Sequence, residues 1–266
     1  MRQNNFISEA WSPLREIVAK QPNVDEFIDA PGVIPAGPLV FRALNEMAPK
    51  DVKIVIFGQD PYPRKESAIG QAFNDGKVKK WTDPMSPSLR NIIKSILISQ
   101  GLADSSTKVP ELRAALAKSS MAQPPAWFSE TARRGVLWLN TALTFSGGDD
   151  LAKHTKFWKP VVTDIIRMVL EARKEEGVVF VMFGKPAQKL QTTVEVVNAT
   201  IKARVGFVPA PHPAREGFHA DDKTPFTLIA EKENELGFKP VSFMVSQKRK
   251  AAGTLAGFVA TQAVEG

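Results

Sequence analysis

The segment GQDPYP at residues 58–63 places a glycine, an acid, two prolines and the only tyrosine of the chain directly after an apolar run. Its carboxylate, Asp60, accepts hydrogen bonds when it is ionised, and Tyr62 supplies an aromatic ring. Later segments add an amide, Asn140, and an imidazole, His212, each at the end of another apolar run. Taken singly, each polar group has a structural explanation: an Asx turn, an asparagine that closes a strand, or a histidine in a proline-rich loop. Gathered in one place, they would form a polar pocket with an aromatic wall.

Four apolar runs rich in β-branched residues predict the elements that would carry these groups. The runs lie at residues 52–57, 136–143, 178–183 and 203–211. Continuous apolar runs of this length are typical of strands covered on both faces, as in parallel sheets. Helical stretches begin at Ser86 and Pro110, end at Gly177, and follow the third and fourth runs. The alternation predicts an α/β fold, with three α/β/α layers around a small four-stranded parallel sheet.

In such a sheet, a binding site lies at the carboxyl ends of the strands, where the loops of different units meet. The segments at the ends of the four runs are GQDPYP, NTALT, GKPAQK and PHPAREGF. We therefore expect Asp60, Asn140 and His212 to lie close together, with Tyr62 and Phe73 as an aromatic pair beside them.

The composition favours a polyanionic partner. The chain has 35 Lys and Arg residues against 28 Asp and Glu residues, a net charge of +7, which favours nucleic acid over a membrane. The 266 residues are 43% hydrophobic and can bury a substantial core. We predict one domain over residues 1–250 and a tail at residues 251–266 that is either helical or disordered. The absence of cysteine excludes disulfides, thiolate catalysis and cysteine-ligated zinc.

Targeting and metal signals are not found in the sequence. No run approaches the roughly 18 apolar residues of a membrane span, and the N-terminus has no signal-peptide core. We therefore expect a cytoplasmic protein with no membrane partner. The three histidines, His154, His212 and His219, are too widely spaced for a helical zinc motif, so we expect no metal site and no cofactor.

Five segments together identify a family. GQDPYP, AFND, VLWLNTALT, FGKPAQK and APHP occur in the order and at the spacings of the motifs of the family 1 uracil-DNA glycosylases. The chain resembles that family over residues 35–237, and the combination of motifs is far more specific than any one of them. The resemblance implies a monofunctional enzyme of base excision repair that flips deoxyuridine out of single- or double-stranded DNA, hydrolyses its N-glycosidic bond and leaves an abasic site. It also implies a monomer.

The resemblance assigns the two charges that develop during bond cleavage to two residues. Asp60 would position the attacking water and stabilise the cationic sugar. His212, as a neutral imidazole, would donate a hydrogen bond to the uracil oxygen on which negative charge grows.

The family motifs also assign four residues to the recognition of uracil. Gln59 would make polar contacts to the base, and Asn140 would match its donor and acceptor edge. Phe73 would stack on the flipped base, although a phenylalanine is more often a core residue. Tyr62 would collide with the methyl group of thymine and so restrict the pocket to uracil.

Two segments resemble loops that hold the DNA backbone in this family. Ser86, Pro87 and Ser88 resemble its proline and serine loop, with Ser88 as the phosphate contact, although Ser86 can also cap the helix that begins there. Lys185 stands where the family has a serine, so a charged contact to phosphate would replace a hydroxyl contact.

The loop HPAREGF departs from the family's HPSPLS, whose leucine fills the space left by the flipped base. It contains Ala214 and Arg215 instead, and either Arg215 or Phe218 is expected to fill that space against DNA. A phage-encoded inhibitor protein captures the family's leucine in an apolar cavity. We expect it to bind this chain poorly, because burying a charge there is unfavourable.

An alternative function is a DNA-binding or replication-accessory protein that keeps the fold and has weakened catalysis. The intact set of Asp60, Asn140 and His212 favours the enzyme. An enzyme that acts on free nucleotides would need a glycine-rich phosphate loop, which the sequence does not contain.

Overall fold

A computed structural model describes residues 6–215, 217–219 and 223–246. Within these ranges, four parallel strands form one sheet in the order β2-β1-β3-β4. The strands are β1 (Ile54–Gly58), β2 (Val136–Asn140), β3 (Val178–Phe183) and β4 (Val205–Ala210). Each strand lies inside a predicted run or extends it by one residue. The predicted four-stranded parallel sheet is therefore confirmed.

Helices precede, connect and follow these strands. Before β1 lie α1 (Ser12–Lys20), α2 (Val24–Ile28), α3 (Gly37–Val40) and α4 (Arg42–Asn45). Between β1 and β2 lie α5 (Pro87–Ser99), α6 (Val109–Lys118) and α7 (Pro124–Arg133). The later helices are α8 (Leu151–Ala172), α9 (Lys185–Gln188), α10 (Leu190–Ile201) and α11 (Pro225–Glu235). Short 3-10 helices lie at Glu9–Trp11, Pro49–Asp51 and Gly148–Asp150.

The ends of the predicted helices differ modestly from the observed ones. Helix α5 begins directly after Ser86, as predicted, and α6 begins one residue before Pro110. Helix α8 ends at Ala172, before the predicted end, because a turn closed by a hydrogen bond from the Gly177 N–H to the Arg173 carbonyl leads into β3. Helix α7 was not predicted. It begins with two prolines, which fit the first turn of a helix because no backbone N–H is needed there.

The sheet separates two apolar layers. Alternate residues of a strand point to opposite faces, so Val55 and Phe57 pack with α1, α8 and α10, whereas Ile54 and Ile56 pack with α5, α6, α7 and α11. Burying each of these large side chains stabilises the fold by about 1.5–3 kcal/mol. Helices cover both faces of the sheet, and the predicted three-layer arrangement is confirmed.

The strand register brings the carboxyl ends of all four strands to one edge of the sheet. Gly58 and Asn140 form the last pair between β1 and β2, and Phe183 and Ala210 form the last pair between β3 and β4. Beyond β2, the Thr141 N–H donates to the Gly58 carbonyl at 3.0 Å. The loops that carry the predicted site residues therefore leave the sheet side by side.

His154 on α8 is a structural residue of the core. Its side chain is buried, and its two ring nitrogens lie 2.8 Å from Thr144 Oγ1 and 2.8 Å from Ser146 Oγ. Thr144 Oγ1 also accepts a hydrogen bond from Trp158 Nε1, and Ser146 Oγ donates to Asp150. Burial lowers the pKa of His154, so the ring stays neutral at physiological pH. These bonds hold the segment that follows β2 against α8.

The chain after α11 returns along α7. The Val245 carbonyl accepts from the Ala122 N–H, and the fully buried Glu233 carboxylate accepts from the Val241 N–H at 3.0 and 3.1 Å. The boundary at residue 250 and the tail at residues 251–266 lie outside the described residues, so the domain limits stay a prediction. Within the described ranges, no helix is long and apolar enough to cross a membrane.

Candidate active site

One cavity of about 170 Å³ brings together the residues that were predicted to bind uracil and to cleave its bond to the sugar. It lies at the carboxyl ends of β1, β2 and β4. The predicted residues that line it are Gln59, Asp60, Tyr62, Phe73, Ser88, Asn140 and His212. Gly58, Pro61 and Pro63 complete its wall. The sequence segments that supply these groups are as much as 154 residues apart (58 to 212), and the parallel sheet brings them together.

Asn140 reaches the cavity from the last position of β2 and is only 7% exposed. Its neighbour in the sheet is Gly58, where a Cβ atom would lie 2.3 Å from Asn140 Oδ1. A side chain at residue 58 would therefore displace the Asn140 amide. This close approach explains why a glycine begins the GQDPYP segment.

The loop after β1 is tied to the loop after β2. The Gln59 carbonyl accepts hydrogen bonds from Thr141 Oγ1 at 2.8 Å and from the Ala142 N–H at 2.9 Å. Thr141 belongs to the VLWLNTALT segment, but sequence reasoning assigned it no role. In the structure it fixes the backbone next to Asp60.

Asp60 lies in this loop with its carboxyl group partly withdrawn from water. Burial raises the pKa of Asp60 from its ordinary value of 3.8 to about 6. Desolvation disfavours the charged form, so the carboxylate that forms above this pH is destabilised relative to one in water. A positive charge that develops beside such a carboxylate stabilises its ionised form.

The hydrogen bonds of His212 specify its tautomer. Its Nδ1 accepts the Ala214 N–H at 3.2 Å, which leaves Nε2 as the protonated donor of a neutral ring. Burial, followed by the positive charge of Arg215, lowers the pKa of His212. The Pro213 carbonyl accepts a hydrogen bond from Asn91 Nδ2 at 2.6 Å, a contact between α5 and this loop that no sequence signal indicated. The ring is therefore held as a neutral hydrogen-bond donor.

Gly184 makes room for the His212 loop at the end of β3. Its φ angle of +84° lies in the left-handed region, and a Cβ atom there would be 3.0 Å from His212 Cβ. Both the backbone conformation and the close approach favour glycine at this position.

Tyr62 is anchored at its hydroxyl. Tyr62 Oη donates to the Phe73 carbonyl at 3.2 Å and lies 2.9 Å from Ser86 Oγ. Ser86 Oγ in turn accepts the Leu89 N–H, so Ser86 caps α5, as one of the two interpretations of its sequence predicted. Burial raises the pKa of Tyr62 to about 12, which keeps the phenol neutral. The ring is thus fixed against one wall of the cavity.

Phe73 adopts a left-handed backbone conformation with φ of 62°, which is uncommon for a bulky residue. Its ring meets those of Trp138 and Phe183 edge-on, with centroid distances of 6.3 and 5.9 Å. Half-buried and aimed at the cavity, it is supported from behind by the core. Such uncommon backbone conformations cluster at functional sites.

A wide groove of about 1020 Å³ adjoins the cavity and shares Gln59 and His212 with it. Lys185, Ala214 and Arg215, which were predicted from the sequence to contact DNA, line this groove. Pro87 and Ser88 lie apart from them at the start of α5, where Ser88 lines the cavity itself.

The expectation that Phe218 contacts DNA is corrected by its burial. Phe218 is 2% exposed and packs edge-on against Phe183, with ring centroids 5.2 Å apart. Burying the apolar ring in the core is more favourable than exposing it to water. Phe218 is part of the apolar layer that contains α5 and α11. Arg215, the other residue predicted to fill the space left by the flipped base, is exposed.

Among the described residues, no group of three or more His, Asp or Glu side chains could hold a metal ion.

Comparison with known proteins identifies relatives over most of the chain. A family model described as the uracil DNA glycosylase superfamily matches residues 44–231. The uracil-DNA glycosylase of Exiguobacterium sibiricum is 29% identical over 216 residues, which cover 80% of this chain and 85% of the relative. That of Streptococcus gordonii is 28% identical over 221 residues, covering 83% and 88%. The crystal structure of wild-type UNG from Nitratifractor salsuginis has 28% identity and a TM-score of 0.71, covering 92% of this chain and 95% of its own.

Proposed function

The chain belongs to the uracil DNA glycosylase superfamily, and from that premise we propose that it excises uracil from DNA by hydrolysing the N-glycosidic bond. The observation that carries the proposal is the single cavity in which Asp60, Asn140 and His212 meet beside Tyr62 and Phe73. A carboxylate, an amide and a neutral imidazole at one site fit a reaction in which opposite charges develop on a sugar and a base. The same intact set favours an enzyme over a DNA-binding protein with weakened catalysis.

The cavity is a pocket at the surface, so a base within duplex DNA must leave the stack to enter it. Phe73 then offers a ring on which the flipped base stacks, and Gln59 adds polar contacts. Asn140 can donate to one polar group of the uracil edge and accept from another, whereas cytosine presents the opposite pattern. The absence of a side chain at Gly58 leaves room for this amide at the edge of the cavity.

The two charged ends of the reaction have separate partners in the pocket. As the bond breaks, the deoxyribose becomes positive, and ionised Asp60 stabilises it and positions the water that attacks it. The departing uracil becomes negative, and the Nε2–H of His212 donates to its oxygen. Hydrogen-bond donors that are already oriented stabilise such charge without reorganisation.

The direct test is an excision assay with oligonucleotides that contain uracil, thymine in its place, or neither, with and without a chelator. We expect release of uracil alone, at the same rate in both conditions. A protein that binds all three oligonucleotides and releases no base would favour the accessory-protein alternative.

Replacing Tyr62 with alanine is expected to give measurable excision of thymine. The ring excludes the methyl group of thymine because its hydroxyl contacts to Ser86 and Phe73 hold it in place. A methyl group changes binding by only about 1–3 kcal/mol, so exclusion must come from a steric clash. The measurement is thymine release from a thymine-containing oligonucleotide in single-turnover conditions.

The matched control is Tyr62→Phe, which keeps the ring and removes only the hydroxyl. This variant should still reject thymine more strongly than Tyr62→Ala does. If Tyr62→Ala still excises uracil but releases no thymine, then residues other than Tyr62 exclude thymine from the pocket.

We propose that Lys185 and Arg215 in the groove, and Ser88 at the cavity, contact the DNA backbone, with Ser86, Pro87 and Ala214 shaping the surface around them. Phosphate contacts fix the position of DNA and carry no sequence information, which suits an enzyme that must find uracil in any sequence. The monomeric state, the cytoplasmic location and the use of single- or double-stranded DNA stay predictions from the sequence.

The phage-encoded inhibitor of this family is expected to inhibit poorly. Arg215 is exposed and charged, and placing it in an apolar cavity without a partner is unfavourable. The measurement is uracil excision with the inhibitor in molar excess, for the wild type and for Arg215→Leu and Glu216→Leu. Glu216 lies outside the described residues. We expect residual activity in the wild type and stronger inhibition of a leucine variant, and complete stoichiometric inhibition of the wild type would contradict this.

A further inference from the structure

A second cleft, distinct from the cavity and the groove, lies where α8 meets α9 and α10. Its volume is about 300 Å³. Two lysines, three threonines and one glutamine provide its polar surface, and aliphatic side chains provide the rest. The lining residues are Gln59, Thr141, Leu151, Thr155, Lys159, Val162, Pro186, Lys189, Leu190 and Thr193. None of the roles assigned to the active site uses Lys159, Lys189 or Thr193.

The cleft carries a positive charge that no residue of its lining balances. Lys159 and Lys189 are both exposed, and the lining contains no Asp or Glu. Neither lysine takes part in any of the ion pairs found among the described residues. The nearby carboxylate of Asp150 accepts a hydrogen bond from Ser146, and that of Asp164 pairs with Arg167. The two ammonium groups are therefore available to an anion.

The cleft is continuous with the DNA groove. Both are lined by Gln59 and Pro186, and Gln59 also lines the uracil cavity. Lys185 in the groove and Lys189 in the cleft are four residues apart across α9, where the Lys189 N–H donates to the Lys185 carbonyl at 3.3 Å. Side chains at this spacing are neighbours on a helical turn. Arg215, Lys185, Lys189 and Lys159 thus form one basic path that leads away from the cavity.

We propose that this cleft binds the phosphodiester backbone of the strand that carries the flipped nucleotide, an inference that rests on the proposed function. Two unbalanced cations favour an anionic ligand over an apolar one, and continuity with the groove favours an anion that is part of the same long molecule. Lys159 and Lys189 supply the charge, and Thr193 is placed to donate a hydrogen bond to phosphate oxygen. Strands too short to reach the cleft gain nothing from it.

The test compares the wild type with a Lys159→Gln and Lys189→Gln double variant on single-stranded uracil oligonucleotides of about four and about sixteen nucleotides. On the short substrate, kcat/KM should match the wild type. On the long substrate, KM should rise about tenfold at 0.1 M salt while kcat is unchanged. Each lost phosphate contact reduces the salt dependence of single-strand binding by about 0.7 in a log-log plot, so the slope should fall by about 1.4.

The matched control is a Lys118→Gln and Lys174→Gln double variant, which removes the same charge from the end of α6 and from the turn after α8. It should behave as the wild type on both substrates. An equal loss of kcat/KM on the short and the long substrate, or no loss on the long substrate, would contradict the proposal that the cleft binds DNA. Binding of a long uracil-free oligonucleotide, measured in parallel, reports on the cleft even if no base is released, so failure of the proposed function is seen separately.

Discussion

Asp60→Asn is expected to lower single-turnover uracil excision about 10³-fold while DNA affinity is kept. The change removes a negative charge next to the developing positive sugar and preserves the size and shape of the side chain. Opposite unit charges about 4 Å apart at an effective dielectric constant of about 20 interact by about 4 kcal/mol, which corresponds to about three orders of magnitude in rate. Rapid-quench measurement of cleavage, with affinity measured separately, distinguishes the two effects.

The raised pKa of Asp60 adds a second readout. Because burial raises this pKa to about 6, kcat/KM of the wild type should fall as the pH drops below about 6 rather than below 3.8. The unfolded chain has the ordinary pKa, so folding favours the protonated form. This contribution to stability is full below pH 3.8 and is lost as the pH rises through 6. Asp60→Asn should therefore raise the Tm at pH 8, with the gain disappearing near pH 4.

The matched control is Asp51→Asn, which removes an exposed carboxylate at the opposite end of β1. It should change neither the rate nor its pH dependence. An Asp60→Asn variant that cleaves at close to the wild-type rate would show that the carboxylate does not stabilise the sugar.

The parts of the fold that depend on local pattern could be predicted from the sequence. An apolar run such as residues 178–183 has one stable environment, a strand covered on both faces, and β3 occupies it from end to end. Once four such strands are parallel, their carboxyl ends must share an edge. Asp60, Asn140 and His212 each follow or end one of these strands, so their positions in the chain were enough to predict that they lie close together.

The parts that depend on packing between distant segments could not be predicted. Phe218 lies in a polar loop and was expected at the DNA surface, but space beside Phe183 allows its ring to join the core. The contacts of Thr141 to the Gln59 carbonyl and of Asn91 to the Pro213 carbonyl join loops from different strands. Their residue types are common in loops, so nothing in their sequence sets them apart.

The cleft lined by Lys159 and Lys189 also depends on packing between distant segments and could not be predicted from the sequence. Lys159 belongs to an amphipathic helix whose exposed lysines are typical of a solvated face, and Lys189 follows a short helix. Only the packing of α8 against α10 brings the two lysines into the lining of one cleft beside Gln59. The composition of the chain therefore indicates that its partner is negatively charged. Only the fold shows which lysines lie together on the surface where we propose that this partner binds.

His212→Ala is expected to lower single-turnover excision about 10²–10³-fold, with little change in DNA affinity. Alanine removes the Nε2–H that meets the growing charge on the uracil oxygen, and the ground-state base carries less of that charge. His212→Gln keeps an amide donor at a similar distance and should recover part of the lost rate. A loss of the same size in both variants would indicate that the imidazole acts by positioning its loop rather than by donating to uracil.

The pH profile of His212→Gln separates the two catalytic groups. Burial and the charge of Arg215 lower the pKa of His212, and the proposed mechanism uses the neutral ring, so we assign the fall in kcat/KM below about pH 6 to the carboxylate of Asp60. The glutamine variant should therefore be slower at every pH and keep this acid limb near pH 6. If the limb disappears with the imidazole, the titrating group is His212. The neutral ring indicated by the hydrogen bond from the Ala214 N–H would still be the active form, but the acid limb would report its protonation and not that of Asp60.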